Sequence, residues 1–317
     1  MPIIGTGSNT VILRQWKKHS EFGIVINWKF HLQNKWVSIF GPYLVKAIIE
    51  EFDPIIISSQ TEYNWHKEKL NFIISMEPRW AAPEIKYDKR LDQIVCMLSS
   101  DPHNKTEWLE GYVQTNNIDY VLSQYLHPFY YHFPNFPAEK FVHFPWAVPD
   151  QFVLKSDISI RNNKVIIFGG KKGKSYDLRN WCRTQKDITN YPYSGVENKI
   201  MNDMEYIRWL AGFDAIIAAG SSVPKYDLVT PKYFEIASIG ALLIGQYCKD
   251  LSHLGFDDTN MVIFTKNNFV NRIQKYKSNP ESYITIRRNG RELILRNHLI
   301  SHRVKTLRYL FYSKYSI

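Results

Sequence analysis

The feature that most constrains this chain is the recurrence of short apolar runs of strand length, separated by stretches of helical period. In the first half the runs are residues 22–28 (FGIVINW), 54–60 (PIIISSQ), 70–76 (LNFIISM), 93–100 (QIVCMLSS), 118–124 (IDYVLSQ) and 141–148 (FVHFPWAV). Between them, residues 41–52 place Leu44, Val45, Ile48 and Ile49 on one helical face, and residues 105–114 form a second candidate helix after a polar turn. This alternation is the pattern of βαβ units and a mostly parallel sheet, which predicts the α/β class. Residues 149–163 (PDQFVLKSDISIRNN) are polar and follow Pro145 and Pro149, so they read as a linker, with a boundary near residue 150.

Beyond the linker the alternation restarts. Strands are predicted at 164–170 (KVIIFGG), 214–220 (DAIIAAG), ALLIG and MVIFTK, with helices around 178–184, 201–211 and from Thr230 to the Gly240 region. Thr230 is an N-cap residue type and Pro231 suits the first helical position. At 317 residues, two α/β domains of similar size follow, spanning 1–150 and 151–300, with a basic helical extension at 301–317.

Charge is informative only when divided along the chain. Residues 1–150 sum to −2, residues 151–260 to +2 and residues 261–317 to +10, so the whole basic excess lies at the end. There Leu293, Ile300, Val304, Leu307 and Phe311 recur at helical intervals, which predicts a basic amphipathic helix. Such a helix either packs on the body with a solvated basic face or is drawn to an anionic membrane surface. Nucleic acid fits less well, because the slightly acidic first half lacks the positive field that phosphate neutralisation requires. No uncharged apolar run approaches the roughly 18 residues of a membrane span, and the start has no basic-then-apolar signal layout. Cys96, Cys182 and Cys248 are odd in number and too far apart for a metal knuckle. Free thiols in a reduced, cytoplasmic compartment are the expectation.

In open parallel sheets, ligands bind beyond the carboxyl ends of the strands, where helix N-termini present unpaired N–H groups. Four candidates stand there: Glu77 before Pro78, Asp101 and His103 in SSDPHN, Gly169 and Gly170 in IIFGGKKGK, and the helix start TPKYFE. The glycine pair permits close backbone approach and is followed by lysines, but it matches neither the dinucleotide fingerprint nor a Walker loop. A plain strand-ending turn is the alternative. The stronger signal is DLVTPKYFEIASIGALLIG (227–245), in which Asp227 precedes Glu235 by eight positions and Lys232 lies one turn before Glu235. One turn of helix can thus offer N–H groups and an ammonium to a diphosphate, and a carboxylate to ribose hydroxyls.

This segment resembles the C-terminal donor-binding domain of GT-B glycosyltransferases, in particular the group that includes spore-maturation CgeB-type proteins. YDLR (176–179), YPYSGV (191–196), AIIAAGSS, LGF (254–256) and RELILRNHLISHRV extend the likeness through the second half. SSDPH, DYVLSQY, HPF and FPWAVPDQF carry it more loosely into the first. The resemblance implies two Rossmann-like domains facing each other across a cleft, with the C-terminal helix crossing back toward the first.

It further implies a nucleotide-sugar as co-substrate and no resident cofactor. Gly169, Gly170, Arg179, Tyr193, Gly195, Asp227, Thr230, Lys232, Tyr233 and Glu235 would line the donor site, with Lys232 on the diphosphate, Glu235 on the ribose, and Tyr193 and Gly195 bordering the base. The family's paired-glutamate motif has Asp227 in its first position here, which leaves the sugar contact and the retaining assignment open. Asp101, His103 and Glu77 are the catalytic candidates on the acceptor side. If the reaction inverts, Asp101 or His103 is the base; if it retains, they position sugar or acceptor. The chain contains no Asp-x-Asp, so metal-independent chemistry is expected. Acceptors in view are a glycan, a lipid-linked glycan or a protein. A binding module that holds a nucleotide-sugar without turnover is the remaining rival.

Overall fold

The apolar runs pair into two parallel sheets in a computed structural model that describes residues 21–33, 38–153, 158–160, 162–191 and 201–313. The first sheet contains β1 (Phe22–Val25), β2 (Ile55–Ile57), β3 (Phe72–Ser75), β4 (Ile94–Ser99), β5 (Tyr120–Ser123) and β6 (Phe141–His143), in the order β2-β1-β3-β4-β5-β6. The second contains β7 (Val165–Ile167), β8 (Ile188–Asn190), β9 (Ala215–Ala218), β10 (Leu242–Gln246) and β11 (Val262–Phe264), in the order β11-β10-β9-β7-β8. Most strand side chains are buried on both faces, which is why the sequence shows continuous apolar runs rather than alternation.

The helices are α1 (Trp28–Gln33), α2 (Phe40–Phe52), α3 (Gln60–His66), α4 (Leu109–Thr115), α5 (His127–His132), α6 (Asp177–Arg183), α7 (Asp203–Ala211), α8 (Pro231–Ser238), α9 (Phe269–Ser278), α10 (Ile284–Asn297) and α11 (Ile300–Ser313). Helix α2 buries Leu44, Val45 and Ile48 against the first sheet, on the face that the spacing indicated. Helix α4 begins at Leu109 rather than at residue 105. Residues Pro102–Asn104 form a 3-10 turn, and the Lys105 ammonium is drawn inward to Glu77.

The expected single basic helix at the end is two helices. Helix α10 packs on α8 and β10, whereas α11 inserts Ile300, Val304, Leu307, Leu310 and Phe311 into the core of the first domain, against α2. The break at His298–Leu299 is held by strand-like pairing with the interdomain segment. Val148 N–H donates to the His298 carbonyl at 2.9 Å, and Ile300 N–H donates to Val148 at 3.0 Å. Arg303 then clamps the same segment, donating to the carbonyls of Pro145 and Trp146 and to His298 Nδ1. The chain thus crosses back to the first domain, and its apolar face is spent on that crossing instead of on lipid.

Three histidines are buried in ways that disfavour their charge. Burial pulls His103 and His143 down to about 4 and His298 down to about 3, from an ordinary value of 6.5. Each ring binds a proton more weakly folded than unfolded, so below about pH 6.5 the unfolded chain takes up more protons and stability falls as the pH drops toward 4. Urea midpoints measured at about pH 7.5, 5.5 and 4.5 are expected to decline in that order. A flat profile would mean that these rings are hydrated in the folded protein.

Candidate functional site

Segments that follow strands of the two sheets meet, and in the wholly parallel second sheet the order of strand addition reverses between β7 and β9, so its topological crevice lies beyond those two strands. Gly169 and Gly170 follow β7, and Gly220 and Ser221 follow β9. Arg179, at the start of α6, ties the two strand ends together. Its Nε donates to the Ala219 carbonyl at 2.7 Å and its Nη1 to the Gly170 carbonyl at 3.2 Å, while its plane lies over Tyr176. It is buried rather than a solvated helix residue. Arg183, one turn later, donates to the Gly169 carbonyl at 2.7 Å.

Lys232 enters the same crevice from the first turn of α8. Its Nζ donates to the Phe168 carbonyl at 2.8 Å and lies 3.5 Å from the centre of the Phe168 ring. Gly169 has φ +102°, and a Cβ built there would collide with the Lys232 ammonium. The positive φ favours glycine, and a side chain there would displace the flexible end of Lys232. Thr230 stands before the helix with extended backbone and its side chain makes no capping bond; Pro231 brings no N–H, and the Tyr233 N–H donates to the Thr230 carbonyl at 3.1 Å. An ammonium, two guanidinium groups and a helix N-terminus thus converge where a diphosphate would have its charge offset.

Glu235 is 4% exposed and is not an exposed partner of Lys232. Its carboxylate accepts from the Tyr206 hydroxyl at 2.8 Å and from the Ser38 hydroxyl of the first domain at 3.1 Å. Burial raises the Glu235 carboxyl above its ordinary value, and those two hydroxyls and the Lys232 charge oppose the shift. Asp227 Oδ2 accepts from the Lys249 N–H at 3.1 Å, beside the chain that leaves β10. Tyr233 does not belong to the site. It is fully buried with its hydroxyl on the carbonyls of Gln246 and Ala218, so it fastens α8 to β9 and β10. Tyr193 and Gly195 lie outside the described residues.

Across the crevice, Asp101 ends β4 with a left-handed backbone, φ +35°, an uncommon conformation for a residue with a side chain. Burial pushes its carboxyl above the usual range, with Glu77 nearby adding to the shift and Lys105 opposing it. Glu77 is 9% exposed. Its carboxylate is ion-paired with buried Lys105 and accepts from the Ser100 hydroxyl. His103 sets its ring edge-on to Tyr226 of the second domain at 4.9 Å, with Nδ1 buried and without a hydrogen-bond partner.

The residues that the sequence did not single out join the two domains here. Asp250, after β10, reaches the segment after β5 and accepts from the N–H groups of Leu126 and His127 at 2.9 and 2.8 Å. His132 meets the Lys225 carbonyl at 3.1 Å. HPF (127–129) stands within the segments of family likeness, but nothing in CKDLSHLGF marks Asp250, because its partner is 123 residues away in the chain.

Residues 159–308 match the model of a family described as glycosyl transferase-like. No curated protein matches the chain. Among solved structures, Anabaena HepE in complex with UDP-glucose superposes with a TM-score of 0.58 at 10% identity, over 98% of this chain and 97% of that one. Sucrose-phosphate synthase of Thermosynechococcus elongatus gives 0.52 at 10% identity, over 90% of this chain and 80% of that one. TarM of S. aureus gives 0.52 at 10% identity over 76% of this chain, which spans only 54% of the TarM chain. The two parallel-sheet domains have the GT-B fold.

Proposed function

We infer that this chain, with the GT-B fold and a glycosyl transferase-like second half, is a glycosyltransferase that moves a sugar from a nucleoside diphosphate to an acceptor. The observation that supports this most is the convergence of Lys232, Arg179 and the α8 N-terminus on the Gly169–Gly170 backbone at the switch point of the second sheet. The acceptor is a glycan, a lipid-linked glycan or a protein, entering from the side of Asp101 and His103.

In this reading the diphosphate lies on the Lys232 ammonium and the α8 amides, and Glu235 exchanges the Ser38 hydroxyl for a ribose hydroxyl. Asp227 meets the transferred sugar. As the anomeric bond breaks, negative charge grows on the departing diphosphate, and fixed cations in a water-poor crevice stabilise that charge without reorganising. These cations make a divalent ion unnecessary, in keeping with the lack of an Asp-x-Asp pair. We place the enzyme in the cytoplasm, since Cys96, Cys182 and Cys248 are free thiols. Among the described residues no helix is long and apolar enough to cross a membrane.

Thermal shift against UDP, GDP, CDP, dTDP and ADP and their sugars, with and without magnesium, tests the reading. One nucleotide family is expected to stabilise the protein regardless of magnesium, by about 2.7 kcal/mol at a hundredfold excess over Kd. Glu235→Ala is expected to weaken that ligand by about 1–3 kcal/mol. Indifference of the wild-type protein to every nucleotide would remove the donor site, and unchanged affinity in a folded Glu235→Ala variant would remove Glu235 from it.

A further inference from the structure

We propose that His127 and Asp250, one from each domain, form the proton-accepting pair of this enzyme, with His127 as the base that receives the acceptor's proton and Asp250 as its positioning residue. The inference rests on the glycosyl-transfer reading above and names the group that would carry its proton chemistry.

The Asp250 side chain is 1% exposed, and among the described residues its carboxylate meets donors of the first domain: the two amides of Leu126 and His127, and His127 Nδ1 at 2.6 Å. Both amides point at carboxylate oxygens, so the imidazole nitrogen facing the same carboxylate is held as Nδ1–H. The tautomer is thereby set, and the lone pair falls on Nε2. The side chain is 40% exposed, so part of the ring is open to solvent, and the ring lies 5.1 Å from that of His253. A buried carboxylate that fixes the tautomer of a half-exposed imidazole, and that can stabilise the imidazolium once formed, is an arrangement by which a histidine accepts a proton from a substrate.

Location connects the pair to the donor. The backbone N–H of Lys249, next to Asp250, donates to Asp227, the residue placed on the transferred sugar. Helix α5, which His127 begins, packs on the Pro102–Asn104 turn that follows Asp101. His127 therefore stands between the sugar end of the donor site and the acceptor-side candidates. Those candidates suit the role less well. Asp101 shares its pocket with Glu77, and His103 has no carboxylate to hold its ring, its Nδ1 being buried without a partner.

The step balances with the two substrates alone. The acceptor oxygen forms its bond to the anomeric carbon, its proton passes to His127 Nε2, and the bond from the anomeric carbon to the diphosphate oxygen breaks. The nucleoside diphosphate leaves with that electron pair. Because Asp250 belongs to the second domain, the base is assembled only while the domains are in contact, which ties proton transfer to the closed arrangement.

The test uses water as acceptor and, as donor, the nucleotide-sugar that most stabilises the full-length wild-type protein; release of nucleoside diphosphate is followed. His127→Ala is expected to lower kcat about 100-fold or more while leaving donor-induced thermal stabilisation intact. Added imidazole should restore part of the rate. His127→Gln, which can hydrogen-bond but takes no proton, should be as slow as His127→Ala. Asp250→Asn should also slow turnover, and the double variant His127→Ala/Asp250→Asn should be no slower than His127→Ala, a non-additivity that a purely structural role of Asp250 would not give. Turnover of His127→Ala within about threefold of wild type, or a loss that imidazole does not relieve and that parallels loss of donor binding, overturns the proposal. A wild-type protein that binds no nucleotide-sugar sinks the underlying reading instead, which the thermal shift panel registers separately.

Discussion

Arg287→Ala is expected to cost about 3–5 kcal/mol of stability, because it breaks an ion pair that solvent does not reach. Arg287 is 2% exposed and Asp214 is 0% exposed. The guanidinium lies 3.5 Å from Asp214 Oδ1 and donates to the carbonyls of Gly240 at 2.8 Å and Ser159 at 3.2 Å. Asp214 keeps only part of its solvation from the amides of Asn162 and Asn163. Removing the cation leaves a buried carboxylate undercompensated and strips two carbonyls of a donor. Urea unfolding at neutral pH measures the effect, and a second variant, Arg287→Met/Asp214→Leu, should lose less than Arg287→Ala because no charge is stranded. A loss of under about 1 kcal/mol in Arg287→Ala would show that the pair is hydrated. The consequence reaches the donor site, since Gly240 closes the helix that presents Lys232 and Glu235.

Lys232→Met is expected to weaken the bound nucleoside diphosphate by about 2–3 kcal/mol, roughly 30- to 150-fold in Kd, with little effect on folding. Methionine keeps an unbranched apolar stem where the lysine chain lies by the Phe168 ring, so the packing at β7 survives while the ammonium is lost. The ammonium is the group nearest the position a Gly169 Cβ would take, with Arg179 Nη1 beside it, so a phosphate approaching this backbone would meet both cations. Calorimetric titration of both proteins with the best nucleoside diphosphate decides it. Equal affinities in a folded variant would move the diphosphate away from α8.

The groups assigned to the donor in the proposed reading stand out along the chain because they are local. Lys232 and Glu235 share one helix, Asp227 precedes it, and the glycine pair ends a strand that the apolar pattern marks, so local spacing brings the right groups to one strand end. Tyr233 shows the limit of that reasoning. It sits in the same helical turn as Lys232, yet its ring faces the sheet, since successive helical residues point about 100° apart and only burial tells which one meets ligand. Glu77 shows a related limit: its partner Lys105 approaches from the turn after the next strand, and the sequence says nothing about which carboxylate a lysine will choose. The last helix was misread as continuous because the apolar period runs through residues 298–299, where the break is imposed by pairing with Val148.

The sequence by itself determined the class and the order of elements, because burial of a parallel sheet on both faces demands apolar runs at strand spacing whatever the rest of the chain does. It also placed a cationic helix start and a glycine pair at strand ends, where unpaired N–H groups must lie. Only the tertiary structure decided which charges are compensated and which domain supplies each partner. Ser38 meets Glu235 and Leu126 and His127 meet Asp250 across 197, 124 and 123 residues of chain. Contacts at such separations depend on how two independently folded sheets are set against each other by the α11 crossing, and no local periodicity encodes that placement.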